Sequence, residues 1–392
     1  MTSYRRVWTA TLVALAAVLV LRGVPGRAAP AAELPTKLTD QEFWDFTEHI
    51  SEPNGQFRSD NFLSNERAYQ TVIPELIATA RLDRATPDRV YLGVGPEQNF
   101  PYIIALKPKM AIIFDIRRGN LHEQLLYNSL FEMSADRAEF LSKLFSRKRP
   151  DGLTTKSSVA QLMTAYDNVQ PTPDLYQANF KAVSDWLTKK HGFKLRDGDL
   201  DGINYVYQSA FYNGGPYLTY SMGGGGAGGG LTYQDIQMTD DGNGVNRGFL
   251  ATEENWNIMK DLETRNMLVP VVGDFGGPSA IRAVGAYLKG RGAVVSAFYL
   301  SNVEQYLNQD GKEDTFLCNV ATLPLDDTST FIFTGAGRNG GGRGGGGFGG
   351  GGGRGGGGRG GGGLNTTFLR PMLPDTKGCS GAGAATPVGA NR

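Results

Sequence analysis

Residues 89–120, RVYLGVGPEQNFPYIIALKPKMAIIFDIRRGN, constrain the fold more than any other part of the chain. An apolar run at 90–92 ends in Gly93-Val94-Gly95, and a second at 110–114 ends in Asp115. The pattern predicts strand, glycine turn, short helix, strand and acidic tip, the opening of a nucleotide-binding βαβ unit. Twenty residues separate Gly95 from Asp115. That spacing suits a turn that lets a ligand approach the backbone, followed by a carboxylate that accepts hydrogen bonds from a ribose diol. With Glu97 and Asn99 on the turn, the candidate cofactor-binding set is Gly93, Gly95, Glu97, Asn99 and Asp115.

Gln98 stands where the GxGxxG fingerprint has its third glycine. The departure argues against a dinucleotide, whose pyrophosphate packs tightly on the helix N-terminus, and less against S-adenosylmethionine, which has none. Helical and strand patterns then alternate over 252–266, 268–272, 278–291 and 293–299. The alternation predicts an α/β fold, a Rossmann-like doubly wound, mostly parallel sheet with helices on both faces. Asp274 lies just past the strand at 268–272, at the carboxyl end where open α/β sheets place ligands. If that strand is the fourth, Asp274 reaches the reacting centre as a candidate catalytic residue; the alternative is a turn aspartate capping the next helix.

The segments GVGPEQNFPYIIALKPKMAIIFDIRRGN, SADRAEFLSKLFSR, VPVVGDFGGPSAIRAVGAYLKGRGA and FYLSNVEQYL together resemble an uncharacterised bacterial family whose core is similar to S-adenosylmethionine-dependent methyltransferases. The resemblance covers residues 40–334, and implies a methyltransferase-like domain with S-adenosylmethionine as cofactor.

The two ends read differently. Arg5 and Arg6 precede a 15-residue apolar run at 7–21, and small residues follow, so 1–33 reads as a signal peptide or N-terminal membrane segment. The run is shorter than the roughly 20 residues of a spanning helix, which favours a cleaved signal and an exported or periplasmic protein. If the segment is not used, the chain is cytoplasmic. Residues 335–363 are glycine with scattered arginine, either a flexible spacer or a weak electrostatic RNA-binding segment, and 364–392 form a C-terminal tail. Lys plus Arg equal Asp plus Glu at 39 each, so nucleic-acid binding elsewhere is not expected. Cys318 and Cys379 pair only if the chain is exported, and sequence leaves that open.

The domain is expected over 39–334 with an insertion around 150–241. Thr39 and Glu42 form a capping box, Ser64 caps a helix over 65–80 that Pro74 kinks or shortens, and 121–145 carries a long apolar helical stripe, either whole or split in two at Ser134-Ala135-Asp136. Arg117 and Arg118 are candidates to face an anionic group. Within the insertion, 175–190 reads as a helix ending near His191, and 203–211 as a strand. Tyr205, Tyr207, Tyr212, Tyr217 and Tyr220 either line a pocket or reflect the tyrosine preference of half-exposed strands. Three histidines and two cysteines show no metal-ligand spacing, and no nucleophile elbow is present. Three readings follow: an S-adenosylmethionine-binding methyltransferase-like enzyme, a non-catalytic exported protein binding another small ligand, or an RNA-associated protein acting through its glycine-rich segment.

Overall fold

The computed structural model describes residues 32–80, 87–220, 230–335 and 366–379. The expected targeting segment, nearly all of the GGGGAGGG run and most of the Gly/Arg-rich stretch lie outside the described residues.

Six strands form one sheet: β1 (Arg89–Val94), β2 (Met110–Asp115), β3 (Leu268–Val272), β4 (Val294–Ser301), β5 (Thr330–Gly335) and β6 (Thr366–Pro371). Their order is β3-β2-β1-β4-β5-β6, with β6 antiparallel to β5 and every other pair parallel. The fold is therefore α/β with a mostly parallel, Rossmann-like sheet. β2 and β3 are buried along their whole length, as expected of parallel strands covered on both faces.

Leu268–Val272 is the third strand, not the fourth. It pairs outside β2, from Ala111 opposite Leu268 to Asp115 opposite Val272, and the strand beside β1 on the other flank is β4. The miscount has a physical source at 203–211, read from sequence as a strand. There Asp199–Val206 is an α-helix that continues through a π-helical turn, Tyr207–Tyr212. Ile203, Val206, Tyr207, Ala210 and Phe211 recur at helical spacing and are all buried, so packing of that stripe overrides the strand preference of valine and tyrosine. No strand intervenes between β2 and Leu268 among the described residues.

Other expectations meet the structure more directly. The Thr39–Glu42 capping box opens α1 (Asp40–Ile50). The helix expected over 65–80 is shorter: α2 is Ile73–Ala80, with Pro74 in its first turn, where a missing N–H costs nothing. α3 (Phe100–Leu106) fills the first crossover, and α4 (Arg118–Met133) and α5 (Arg137–Phe145) divide the long stripe at Ser134. The residues read as a C-terminal tail supply β6, and Cys379 beyond it is disulfide-bonded to Cys318, with Cα atoms 5.1 Å apart. Closing a span of 61 residues restricts the unfolded chain by about 4 kcal/mol on the chain-entropy argument. None of the described helices is long and apolar enough to cross a membrane.

Candidate functional site

The chain winds outward from β1 to β3 and then returns to place β4 on the other side of β1, so the sheet has its switch point between β1 and β4. Crevices at such points, outside the carboxyl ends of the strands, are where these sheets hold ligands. A cavity of about 210 Å³ lies there. It is lined by Gly95 and Gln98 after β1, Asp115 and Ile116 at the tip of β2, and Asp274 and Phe275 after β3. Ser301 and Asn302 after β4 and the rings of Phe57, Tyr220 and Tyr306 complete the wall. The volume is below the ~300 Å³ of ordinary drug-sized pockets and suits a nucleoside-sized group.

The glycine turn is built mainly by Asn99. Its amide nitrogen donates to the carbonyls of Val94 at 2.9 Å, Gly95 at 3.3 Å and Pro96 at 2.7 Å, and its oxygen accepts from the Tyr91 hydroxyl at 2.8 Å. Gly93 is small because a Cβ there would lie 1.9 Å from Asn99 Oδ1. Gly95 has φ +80°, a left-handed backbone that glycine adopts without strain. Of the five sequence candidates, Gly95 and Asp115 line the cavity; Gly93, Glu97 and Asn99 do not. Glu97 is 2 % exposed and sits behind the turn.

Asp115 already has a partner. Arg117 donates its backbone N–H and Nε to Oδ1 at 2.9 and 3.0 Å, and Nη2 to Oδ2 at 2.9 Å. With two lone pairs per oxygen, Oδ2 retains room for one more donor, half of what a ribose diol asks. Arg117 Nη1 donates to the carbonyls of Ser59 and Asp60, and Arg118 bonds Asp199 and Glu48. Neither arginine is positioned as the anion receptor expected from sequence, because each is consumed by an internal carboxylate. Burial opposes ionisation of Asp199, yet hydrogen bonds from Arg118 and His122 hold it well below the usual carboxylate range.

Asp274 serves as a turn residue that also faces the cavity. Its Oδ1 accepts from the Gly276 N–H at 2.9 Å, and its Oδ2 accepts from Lys312 Nζ at 2.6 Å, a bond that raises the lysine pKa. The cap of the following helix, α6 (Ala280–Lys289), comes from Glu52. That carboxylate accepts from the N–H groups of Asp274, Ser279 and Ala280 at 2.8–3.0 Å. Gly277 is required by this contact, since a Cβ would lie 2.3 Å from Glu52 Oε2. Sequence reasoning took 53–55 only as the end of a helix and missed Glu52; a carboxylate just before a Pro-Asn-Gly break carries no local signal of a partner more than 220 residues on.

Glu66 was missed as well. It is wholly buried and accepts hydrogen bonds from Tyr299 at 2.5 Å, Thr334 at 2.7 Å and Ser301, tying the tips of β4 and β5 together beside the cavity. Burial raises its pKa against the opposing effect of these donors. On the aromatic side Phe57 meets Tyr306 edge-on at 5.0 Å, and Arg58 donates to the Tyr306 hydroxyl at 2.8 Å. Of the five tyrosines proposed to line a pocket, Tyr220 does so. Tyr205 bonds Asp60 and Tyr207 bonds Ser146.

His191 ends its helix as expected, held between Asp40 at 2.8 Å and Glu132 at 3.2 Å. Among the described residues no group of three or more His, Cys, Asp or Glu is gathered as a metal site.

One family, described as a domain of unknown function (DUF7790), matches residues 61–194 and 231–341, more than half of the chain. Its two matched parts contain the glycine turn, Asp115, Asp274 and β4. No curated protein matches the chain.

Proposed function

The chain belongs to the DUF7790 family, and we propose from its own geometry that it is an exported protein binding a small ligand with an adenosine-type group at the switch point of its sheet. The observation that carries the reading is one cavity that gathers a left-handed glycine turn, two carboxylates on neighbouring strand tips and apolar walls from Ile116 and Phe275. Those parts suit a flat base between apolar side chains, with Asp115 Oδ2 accepting one ribose hydroxyl and Asp274 lying toward the base edge. The Cys318–Cys379 bond supports an oxidising compartment, where disulfides persist.

S-adenosylmethionine heads the ligands to test, because the turn lacks the glycine that a pyrophosphate needs. Binding without turnover is the reading carried here. Each Asp274 oxygen already accepts one bond, from Gly276 and from Lys312, so the residue at the position expected to be catalytic is held as part of its turn. Calorimetry with adenosine, S-adenosylmethionine and S-adenosylhomocysteine tests the proposal. Wild type should bind at least one of them, and Asp115→Asn should weaken binding by about 1–1.5 kcal/mol, the worth of one hydrogen bond. No heat with any of the three for folded protein would reject the adenosine site, and methylated product in the presence of an acceptor would reject the non-catalytic reading.

A further inference from the structure

Behind the glycine turn lies a second, closed group of polar side chains that the cavity does not use. Glu97 follows β1, Glu123, Gln124 and Tyr127 lie on α4, and Tyr233 opens the short helix Tyr233–Gln237. All five are at most 2 % exposed. No side-chain donor reaches either carboxyl oxygen of Glu97, and Glu123 Oε1 and Gln124 Oε1 have no hydrogen-bond partner. The hydroxyls of Tyr127 and Tyr233 pair with each other and not with either carboxyl group, although each is electrostatically coupled to both. Gln124 is fixed from its other end, where Nε2 donates to the Gly95 carbonyl at 3.3 Å, so its oxygen is a positioned acceptor.

Buried polar atoms in native proteins are almost always paired, and an unpaired carboxyl group is among the most costly exceptions. Here four acceptor oxygens with no side-chain donor, two on Glu97 and one each on Glu123 and Gln124, lie buried beside two hydroxyls that are turned to each other. Arg117 is felt by Glu123, but its guanidinium is spent on Asp115 and on the Ser59 and Asp60 carbonyls. The group therefore has an excess of lone pairs, and of negative charge whenever both carboxyl groups ionise. An all-oxygen set with two carboxylates and no nitrogen or sulfur is the ligand chemistry of a hard cation; Glu97, Glu123 and Gln124 offer five oxygens, and calcium takes six to eight, the remainder from water.

We infer that this chamber binds one hard divalent cation, calcium being the best match, through the carboxylates of Glu97 and Glu123 and the amide oxygen of Gln124, with Tyr127 and Tyr233 at its rim. The site has only two charged ligands, 26 residues apart in the chain, which is why no metal-ligand spacing marks it. Gly95 ties the chamber to the cavity, so an occupied chamber also stiffens the turn that faces the proposed ligand.

The test uses the full chain. Protein dialysed against calcium and then against metal-free buffer is analysed for bound metal, and its thermal midpoint is measured in calcium, magnesium and EDTA. The expected result is close to one calcium per chain and a midpoint at least ~3 °C higher in calcium than in EDTA. Terbium, excited through Tyr127 and Tyr233, should emit in wild type and lose most of that emission in Glu97→Gln and Glu123→Gln. These near-isosteric variants should fold, and their midpoints should no longer respond to calcium. No bound metal, together with equal wild-type midpoints in calcium, magnesium and EDTA, would overturn the inference and identify the two groups as neutral carboxylic acids. Bound metal that both variants retain would overturn it equally, by locating the ion elsewhere.

Discussion

Glu66 and Glu97 are the same side chain in opposite circumstances. Both are buried, and burial raises the pKa of both. Glu66 is surrounded by three hydroxyl donors from β4 and β5, and its carboxylate acts as a clasp between strands. No side chain donates to Glu97. Desolvation is similar in the two places, so the difference lies in what the fold supplies in return. Where donors are supplied, the carboxylate stabilises the architecture; where they are withheld, the site has unused capacity for a proton or a cation.

The sharpest way to break this contrast is truncation. Glu66→Ala should cost about 3–4 kcal/mol in chemical denaturation, because it opens a cavity and strands three hydroxyls, of which those of Tyr299 and Thr334 are buried. Glu97→Gln, measured in EDTA, should be neutral or stabilising by about 1 kcal/mol, since it replaces a carboxyl group that burial holds toward its neutral form and breaks no side-chain bond. Equal losses in the two variants would erase the distinction. Glu52, also well partnered, allows a second comparison without altering a carboxylate. Gly277→Ala drives a Cβ into it and should cost about 2–3 kcal/mol by the same denaturation measurement.

A pH titration sharpens the comparison further. Glu97 in the folded chain titrates near 8, above the 4.5 of an unperturbed glutamate, so the folded state keeps a proton that the unfolded state has released. Its contribution to stability is full below about pH 4.5 and is lost as pH rises through 8. Glu263, likewise raised to about 8 by burial, adds to the same slope. In EDTA, stability should therefore fall by several kcal/mol between pH 5 and 8, about 1.4 kcal/mol per pH unit for each proton released, and Glu97→Gln should flatten part of that fall. With calcium bound, the wild-type slope should diminish as well. The smallest expected effect lies in the glycine-rich connector between β5 and β6. Halving residues 336–365 should change stability by about 0.6 kcal/mol or less, the logarithmic cost of loop closure, as read from the urea midpoint.

The sheet was legible because its signals are local. Apolar runs that end in glycine or aspartate, followed by amphipathic helices, reflect burial on both faces and can be read one segment at a time. β1, β2, β3 and β4 were found at those positions, and Gly95 and Asp115 do reach the cavity. What escaped is whatever depends on a distant partner. Arg117 two residues beyond Asp115 gave no indication that it would fold back onto that carboxylate. Asn99 resembled a ligand contact and proved to be the strut of the turn. Glu52, Glu66 and Glu97 are separated in the chain from the groups that define them, and a single sequence holds no record of such pairings. The stretch 203–211 reads as a strand because Tyr205, Val206 and Tyr207 favour strands in isolation, while in the folded chain α4 lies against the helix Asp199–Val206.

The position of β6 has a consequence in time. Synthesis must pass through residues 336–365 before the strand that pairs with β5 exists, an interval of roughly 2–6 s at ordinary ribosomal rates. Until then β5 presents a row of unsatisfied N–H and C=O groups, and Cys318 has no thiol to join. Assembly of this sheet is thus sequential, begun at its centre and finished at its rim, and the nascent chain is most open to joining a neighbour in the seconds before its own last strand arrives.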